Sequence, residues 1–209
     1  MFYYNTLLEN IYIEFEIIMY YDKNNDELKR RGLRMSIWKV DAAHTNLGFT
    51  VKHMMVSRVR GSFADVEGTI EGDPADLAAS KVDFKVNMDS INTNNEDRDN
   101  HLRSGDFFDV EKFPTMNFVS TKITETSEDE FDLTGNLTIK GVTKEVTFKA
   151  EFEGKAVDPW GHDVAGFTAE GSIDRKEFGL TWNQALETGG FLVGDKIKIT
   201  IELEANPAA

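Results

Sequence analysis

The chain has 209 residues, 40% of them hydrophobic, and a formal net charge of -14 at pH 7. That length suits one well-buried domain, and the absence of cysteine excludes disulfides, thiolate catalysis and thiolate metal sites. The negative charge disfavours polyphosphate partners, so we expect no nucleic-acid binding, and its field would repel an anionic membrane surface.

Residues 1–34 differ in composition from the rest of the chain. Leu7 to Tyr21 is rich in Ile, Phe and Tyr but is interrupted by glutamates, with no basic segment before it. This pattern fits neither a secretion signal nor a membrane span, so we expect no stable membrane insertion. Arg30-Arg31-Gly32, just before Met35, matches purine-rich codons of a ribosome-binding site, which favours an extension that is not natively translated. The alternative is an amphipathic arm that docks on a partner.

From Ser36 onward, apolar and polar residues alternate as they do in antiparallel strands with one buried face. Turn residues such as Gly72-Asp73-Pro74 and Lys140-Gly141 separate the alternating segments. About eight strands result, the number at which a closed barrel encloses side chains or one small ligand, although a two-sheet sandwich would give nearly the same pattern. The predicted strands are 47–55, 58–71, 81–89, 116–124, 130–140, 144–153, 164–173 and 195–204.

One short helix, near residues 94–104, interrupts the strands. Thr93 and Glu96 have the spacing of a capping box, and Gly105 stands where a left-handed residue would end the helix. Because the helix has almost no apolar residue of its own, its surroundings must hold it in place. We predict that it covers a barrel end, as a fixed cover or a moving gate. The predicted lid residues are Arg98, Asp99, His101, Leu102, Phe107 and Phe108.

The chain has 15 phenylalanines, many beside small residues on one predicted face. Phe167, Ala169 and Gly171 share such a face. Large residues next to small ones either interdigitate in a solid core or leave an elongated apolar cavity. We favour the hollow interior.

His53 follows Phe49 and Val51 on one strand face, so it would project toward the interior. It is either a head-group donor or base, or a hydrogen-bonded core histidine, which we prefer. The four histidines lack metal-ligand spacing, and phosphate-loop, dinucleotide and serine-hydrolase motifs are missing. We predict no catalytic residue, no metal and no cofactor.

An ordered set of motifs over 38–205 resembles the YceI-like polyisoprenoid-binding family. Each motif is weak alone, but their order is specific, and the extension before Met35 has no counterpart in the family pattern. The motifs are Asp41-Ala42-Ala43-His44-Thr45, Phe49-Thr50-Val51-Lys52-His53, Gly61-Ser62-Phe63, Arg98-Asp99-Asn100-His101-Leu102, Asp106-Phe107-Phe108-Asp109, Leu137-Thr138-Ile139-Lys140-Gly141 and Ile173-Asp174-Arg175-Lys176-Glu177-Phe178-Gly179.

That resemblance implies an all-β, closed antiparallel, lipocalin-like barrel over 35–209 that binds a long-chain isoprenoid or another apolar lipid, often as a homodimer. Many members carry a periplasmic signal peptide, so its absence here favours a cytoplasmic location. Two rivals to a carrier are a barrel enzyme acting through His53 and a packed barrel serving as a stress-related interaction module. The predicted ligand-binding residues are Phe49, Val51, His53, Phe63, Phe84, Val86, Met88, Leu137, Phe148, Phe152, Phe167 and Trp182.

Overall fold

The computed structural model describes residues 36–74, 76–187 and 189–208. The predictions about residues 1–34 lie outside these ranges. The described elements are β1 (Ile37–Val40), β2 (Asn46–His53), β3 (Ser57–Phe63), β4 (Val66–Glu71), β5 (Lys81–Asn87), β6 (Ile91–Asn92), helix α1 (Glu96–Arg103), β7 (Thr115–Ser127), β8 (Glu130–Ile139), β9 (Val142–Val157), β10 (Asp163–Asp174) and β11 (Val193–Pro207). None of the helices in the described ranges has the length and apolar content that crossing a bilayer requires.

The strands form a closed barrel. Neighbours in the series β1-β4-β5-β7-β8-β9-β10-β11 pair side by side, and a further pairing of β1 with β11 closes these eight strands into a ring. β11 is long enough to serve two partners on one edge, β2 over its first part and β1 at Ala205 to Pro207. β2 carries β3 and β6 in turn, which extends the wall. The predicted all-β closed antiparallel barrel is therefore confirmed, and the sandwich is excluded.

Strand register defines two ends of the barrel. At the lid end lie α1, the hairpin between β2 and β3, and the beginning of β11. At the base end lie the short 3-10 helix Leu77–Ala79 and the turn between β9 and β10. Another 3-10 helix, Ala42–His44, connects β1 to β2. Both strands pair with β11, so this helix lies between two strands that have the same partner.

One strand prediction is wrong, and one strand of the barrel ring was missed. The expected single strand over 58–71 is divided at Ala64-Asp65, where the Asp65 carbonyl accepts from the Asn87 N–H at 3.0 Å. Before this corner β3 pairs with β2, and after it β4 pairs with β5. Alternation continues across this corner, so the sequence carries no sign of it. β1 was not predicted, because four residues are too few to establish a period.

The helix lies where the sequence predicts it, but its ends differ. Asn95 is the N-cap, and its Oδ1 accepts from the Arg98 backbone N–H at 2.9 Å. The capping box of Thr93 and Glu96 is therefore wrong. Ser104, in an extended conformation, ends the helix, and Gly105 does not adopt a positive φ.

Glycines beneath aromatic rings shape the interior. At four places a Cβ added to the glycine would come closer than 3.0 Å to a phenylalanine ring of the adjacent strand. Each ring thus occupies the space of a missing side chain beside the wall, which leaves room nearer the barrel axis. The pairs are Phe49 with Gly61, Phe84 with Gly68, Phe118 with Gly135, and Phe148 with Gly171.

Candidate functional site

The half of the barrel toward the base contains an apolar cavity of about 90 Å³, here called the base chamber. Its wall is apolar except for Thr45 and Thr168, and Leu77 of the 3-10 helix belongs to it. Several predicted ligand-binding residues line it, namely Phe84, Val86, Leu137, Phe148 and Phe167.

A second cavity of about 110 Å³, the lid chamber, lies toward α1. The predicted ligand-binding residues Phe49, Val51 and Phe63 line one side of it. The predicted lid residues Leu102, Phe107 and Phe108 line another, and the rings of Phe63 and Phe108 meet edge-on with centroids 6.5 Å apart. The helical segment therefore covers an apolar space.

Three residues are common to the walls of the two chambers. Leu47 of β2, Met116 of β7 and Ile199 of β11 line both chambers, so these three residues form a partition. Each chamber has room for several water molecules, but apolar walls offer water too few hydrogen-bond partners. An elongated hydrocarbon suits this paired space better than a compact polar ligand does.

A buried polar clasp holds α1 to the wall. The carboxylate of Asp99 accepts from the Thr93 backbone N–H at 2.9 Å and from the Thr93 hydroxyl, and both residues are buried. Arg98 donates through Nε to the same hydroxyl at 2.7 Å and through Nη2 to the Thr93 carbonyl at 2.8 Å. The side chains of Arg98 and Asp99 therefore converge on Thr93.

His101 lies on the outer side of the lid. Its Nε2 is 3.1 Å from an Asp106 carboxylate oxygen, and its ring contacts those of Phe107 and Trp182 edge-on, at 5.0 and 4.7 Å between centroids. The rings of Phe107 and Trp182 also contact each other, at 5.2 Å. Trp182 thus packs against the outer side of the lid.

Four predicted ligand-binding residues are not among those that line the two chambers. His53 is the last residue of β2, beside the turn, and Met88 is buried in a 3-10 helix after β5. Phe152 packs against Phe167, with centroids 5.4 Å apart, and Trp182 packs on the lid. For His53 and Phe152, alternation predicted the strand face but not the depth along the barrel, whereas Met88 and Trp182 lie outside the strands.

The lid chamber contains one charged wall residue, Arg175. Its side chain is buried, and its donors reach the carbonyls of Leu180, Trp182, Gly194 and Val193 and the Asp195 carboxylate. Burial lowers the pKa of Arg175, and the charges of Asp195 and Asp174 partly offset this. Because its five N–H groups are engaged in the barrel, Arg175 stabilises strand ends and has no donor left for a ligand.

Sequence reasoning missed several wall residues for which a signal existed. Ile197, Ile199, Ile201 and Leu203 line the chambers, and the alternation in 195–204 already placed them on one face. Leu77 had no such signal, because a single turn of 3-10 helix has no measurable period.

Within the described ranges, one group of potential metal ligands lies close together: oxygens and ring nitrogen of Asp41, His44 and Glu204, all within 4.8 Å of one another. The His44 Nδ1 is 3.0 Å from an Asp41 oxygen, and this hydrogen bond raises the pKa of His44 and lowers that of Asp41. An exposed ion pair with Glu204 nearby accounts for the arrangement.

Comparison with known proteins agrees with this geometry. A family model described as a YceI-like domain matches residues 38–205. A UPF0312 protein of Staphylococcus aureus strain USA300 is 42% identical over 171 residues, which cover 81% of this chain and 97% of the relative. The crystal structure of a Campylobacter jejuni YCEI protein is 38% identical, covers 81% of this chain and 96% of its own, and has a TM-score of 0.65. A polyisoprenoid binding domain from Saccharophagus degradans covers 84% of this chain and all 100% of its own with a TM-score of 0.60, but its 12% identity indicates a shared fold only.

Proposed function

The chain belongs to the YceI-like family, and from that premise we propose that it binds a long-chain isoprenoid or a similar amphiphilic lipid inside its barrel without transforming it. The observation that carries this proposal is the pair of apolar chambers, which share the partition of Leu47, Met116 and Ile199. A structural neighbour described as a polyisoprenoid binding domain has the same fold.

The composition of the chamber walls supports a carrier over an enzyme. Among the described residues, those that line the walls include no aspartate, glutamate, histidine or serine, and the one charged group, Arg175, is already engaged. General acid–base chemistry needs a titratable group within hydrogen-bonding reach of the reacting atom. His53 stands outside both walls, so the enzyme alternative lacks its proposed base.

Burial of hydrocarbon supplies the binding energy. Each buried methylene contributes about 0.8 kcal/mol, so a five-carbon isoprene unit contributes about 3 to 4 kcal/mol. Six units would nominally exceed the practical ceiling of about 18 to 21 kcal/mol, so ordering costs and incomplete burial offset part of it. Apolar walls therefore discriminate chain length weakly, so head-group contacts or the length of the paired chambers must determine which lipid is preferred.

The direct test is native mass spectrometry of the protein purified from its host without detergent, before and after extraction with organic solvent. We expect a bound mass that extraction removes and that the extract identifies as a polyprenyl or similar lipid. A barrel that is empty in every preparation would contradict the proposal. The matched variant His53→Gln should retain the bound lipid, whereas an altered or accumulated lipid in that variant would favour the enzyme.

A cytoplasmic location and a homodimer remain predictions. Cell fractionation tests the first, and sedimentation velocity of the purified protein tests the second.

A further inference from the structure

The hairpin between β2 and β3 exposes an unusual run of apolar side chains. Met54, Met55 and Val56 are 43%, 64% and 85% exposed, and Phe191 in the neighbouring loop is 57% exposed. The Met54 N–H donates to the Leu192 carbonyl at 2.8 Å, which holds the two loops together. These four residues, Met54, Met55, Val56 and Phe191, are called the apolar tip.

The conformation of this turn does not favour its residues. Met54 and Met55 have φ values of 52° and 62°, and the Val56 N–H donates to the His53 carbonyl at 3.2 Å. Two central residues with positive φ are typical of a type I′ turn, where Asn-Gly is the preferred pair and a bulky side chain is disfavoured. Folding alone would not place two methionines here, which indicates a role for their exposed side chains.

Basic residues flank the tip. β2 and β3 contain no aspartate or glutamate, although the whole chain has a net charge of -14. Lys52 lies directly opposite Arg58 in the strand register, and like charges in that position repel unless an anion lies between or over them. Nearby, Lys176 forms an ion pair with Asp195, and Lys198 forms one with Glu170. Four other exposed basic residues form no ion pair within the described ranges. They are called the basic flank: Lys52, Arg58, Arg60 and Lys196.

The tip also lies beside the lid chamber. His53, which begins the turn, pairs with Val193 of β11, and both Val193 and Val51 line that chamber. A surface that binds the tip would therefore lie next to the covered end of the apolar interior.

From these observations we propose that the apolar tip and the basic flank dock the lid end reversibly onto a bilayer that contains anionic lipid. The tip enters the interface between head groups and acyl chains, and the flank contacts the head groups. The overall negative charge opposes approach from a distance, but at physiological salt it is screened beyond about 8 Å, so at contact the charges nearest the tip, those of Lys52 and Arg58, act most strongly. This docking does not depend on what the barrel contains.

The test is sedimentation of the full chain with vesicles of phosphatidylglycerol and phosphatidylcholine in equal amounts, compared with vesicles of phosphatidylcholine alone. We expect binding to the anionic vesicles that weakens as salt is added. The double variant Met54→Asn, Met55→Gly supplies the preferred residues for the turn, so its melting temperature should be equal or higher while vesicle binding falls by about tenfold or more. Lys52→Gln and Arg58→Gln should each weaken binding about fivefold.

Trp160 provides the matched control, because it is 81% exposed but lies in the turn at the base end. Trp160→Ser should leave vesicle binding unchanged. Equal binding to both kinds of vesicle, wild-type binding by the tip variant, or loss of binding in Trp160→Ser would each overturn the proposal. Absence of vesicle binding by the wild type would also overturn it and would point to an acidic protein as the partner of this surface. Lipid recovered from the barrel in the mass-spectrometric test would be unaffected by any of these results.

Discussion

Arg175 is a charged side chain in an apolar wall, and its five contacts explain why it is tolerated. It joins the segment after β10 to the beginning of β11 through the carbonyls of Leu180, Trp182 and Gly194. Arg175→Met would leave these buried carbonyls without a donor, so we expect it to lower the free energy of unfolding by about 3 to 5 kcal/mol. Urea denaturation measures this loss. Lys176→Met, which removes an exposed pair with Asp195, should cost no more than about 1 kcal/mol, and an equal cost for both variants would contradict the assignment.

The pair of His44 with Asp41 predicts a pH dependence. A raised pKa means that the folded state favours protonated His44, so this stabilisation is present below the ordinary histidine pKa and is lost as pH rises through the folded-state value. The lowered pKa of Asp41 means that the folded state favours the ionised carboxylate. Its contribution to stability is present above the ordinary aspartate pKa and is lost as pH falls through the folded-state value. Asp41→Asn preserves the acceptor for the Ala43 N–H but removes the charge. Its loss of folding stability relative to wild type should therefore be largest between the ordinary pKa values of aspartate and histidine.

Titration of the His44 ring by NMR checks this prediction directly. Its pKa should fall in Asp41→Asn and fall less in Glu204→Gln, because the Glu204 oxygen is 3.9 Å from Nδ1 and Asp41 is the larger cause of the shift. A pKa that does not change in Asp41→Asn would show that the hydrogen bond is absent in solution.

The strands keep the interior open by placing glycine beneath phenylalanine. At Gly68, an added Cβ would come within 3.0 Å of both the Phe84 ring and the side chain of Val40, so these side chains must shift. We expect Gly68→Ala to push Phe84 into the base chamber, lowering stability by about 1 to 3 kcal/mol and reducing uptake of the fluorescent lipid cis-parinaric acid. At Gly166→Ala, the nearest contact is Glu153 Cβ at 3.3 Å, so uptake should be retained. Equal uptake by both variants would contradict this account of the chamber.

The clasp at Thr93 determines whether α1 is a fixed cover or a gate. Thr93→Val removes the hydroxyl that joins Arg98 to buried Asp99, at a cost of about 1 to 3 kcal/mol. We expect faster hydrogen exchange in α1 while the strands remain protected, which would show that the lid opens without the barrel. Thr143→Val, in an exposed hydroxyl pair with Thr138, is the control. Unchanged exchange in α1 would show that packing by Phe107 and Phe108 holds the lid alone.

Across the whole barrel, the partition between the chambers controls what length of chain fits. Met116→Trp would fill the space that both chambers share, so binding of ligands that occupy both should weaken by about tenfold or more, while ligands that fit one chamber stay bound. Met116→Leu, with similar volume, should behave as the wild type. The chain length of the lipids extracted from each variant, measured by mass spectrometry, distinguishes these outcomes. An identical lipid profile in all three proteins would show that the partition does not divide the ligand's path.

Local sequence was sufficient to predict most of the strands, but the pairings that close them into a ring depend on residues far apart in the chain. Alternation placed Val82, Phe84 and Val86 on one inward face, because side-chain direction along a strand depends only on parity. The β1–β11 pairing and the corner at Ala64-Asp65 depend on residues far apart in the chain, and no local period reports them.

In the candidate site, likewise, the sequence predicted which face of a strand a side chain occupies but not its position along the barrel. Phe49 and Phe148 lie in chamber walls as alternation suggested, whereas the depth of His53 along the barrel could not be read from parity. The spacing of Thr93 and Glu96 predicts a capping box, but Asn95 is the N-cap. The actual partners of Thr93 are Arg98 and Asp99 on the helix itself, and only the three-dimensional path of the loop brings them together.

β11 follows all other strands in chain order, yet it pairs with β10 on one edge and with β2 and β1 on the other. During synthesis the ribosome must therefore release Val193–Pro207 before the ring can close, and until then the apolar faces of the earlier strands remain open to solvent, chaperones or free lipid. Cargo could enter a nascent molecule at that stage without passing the lid.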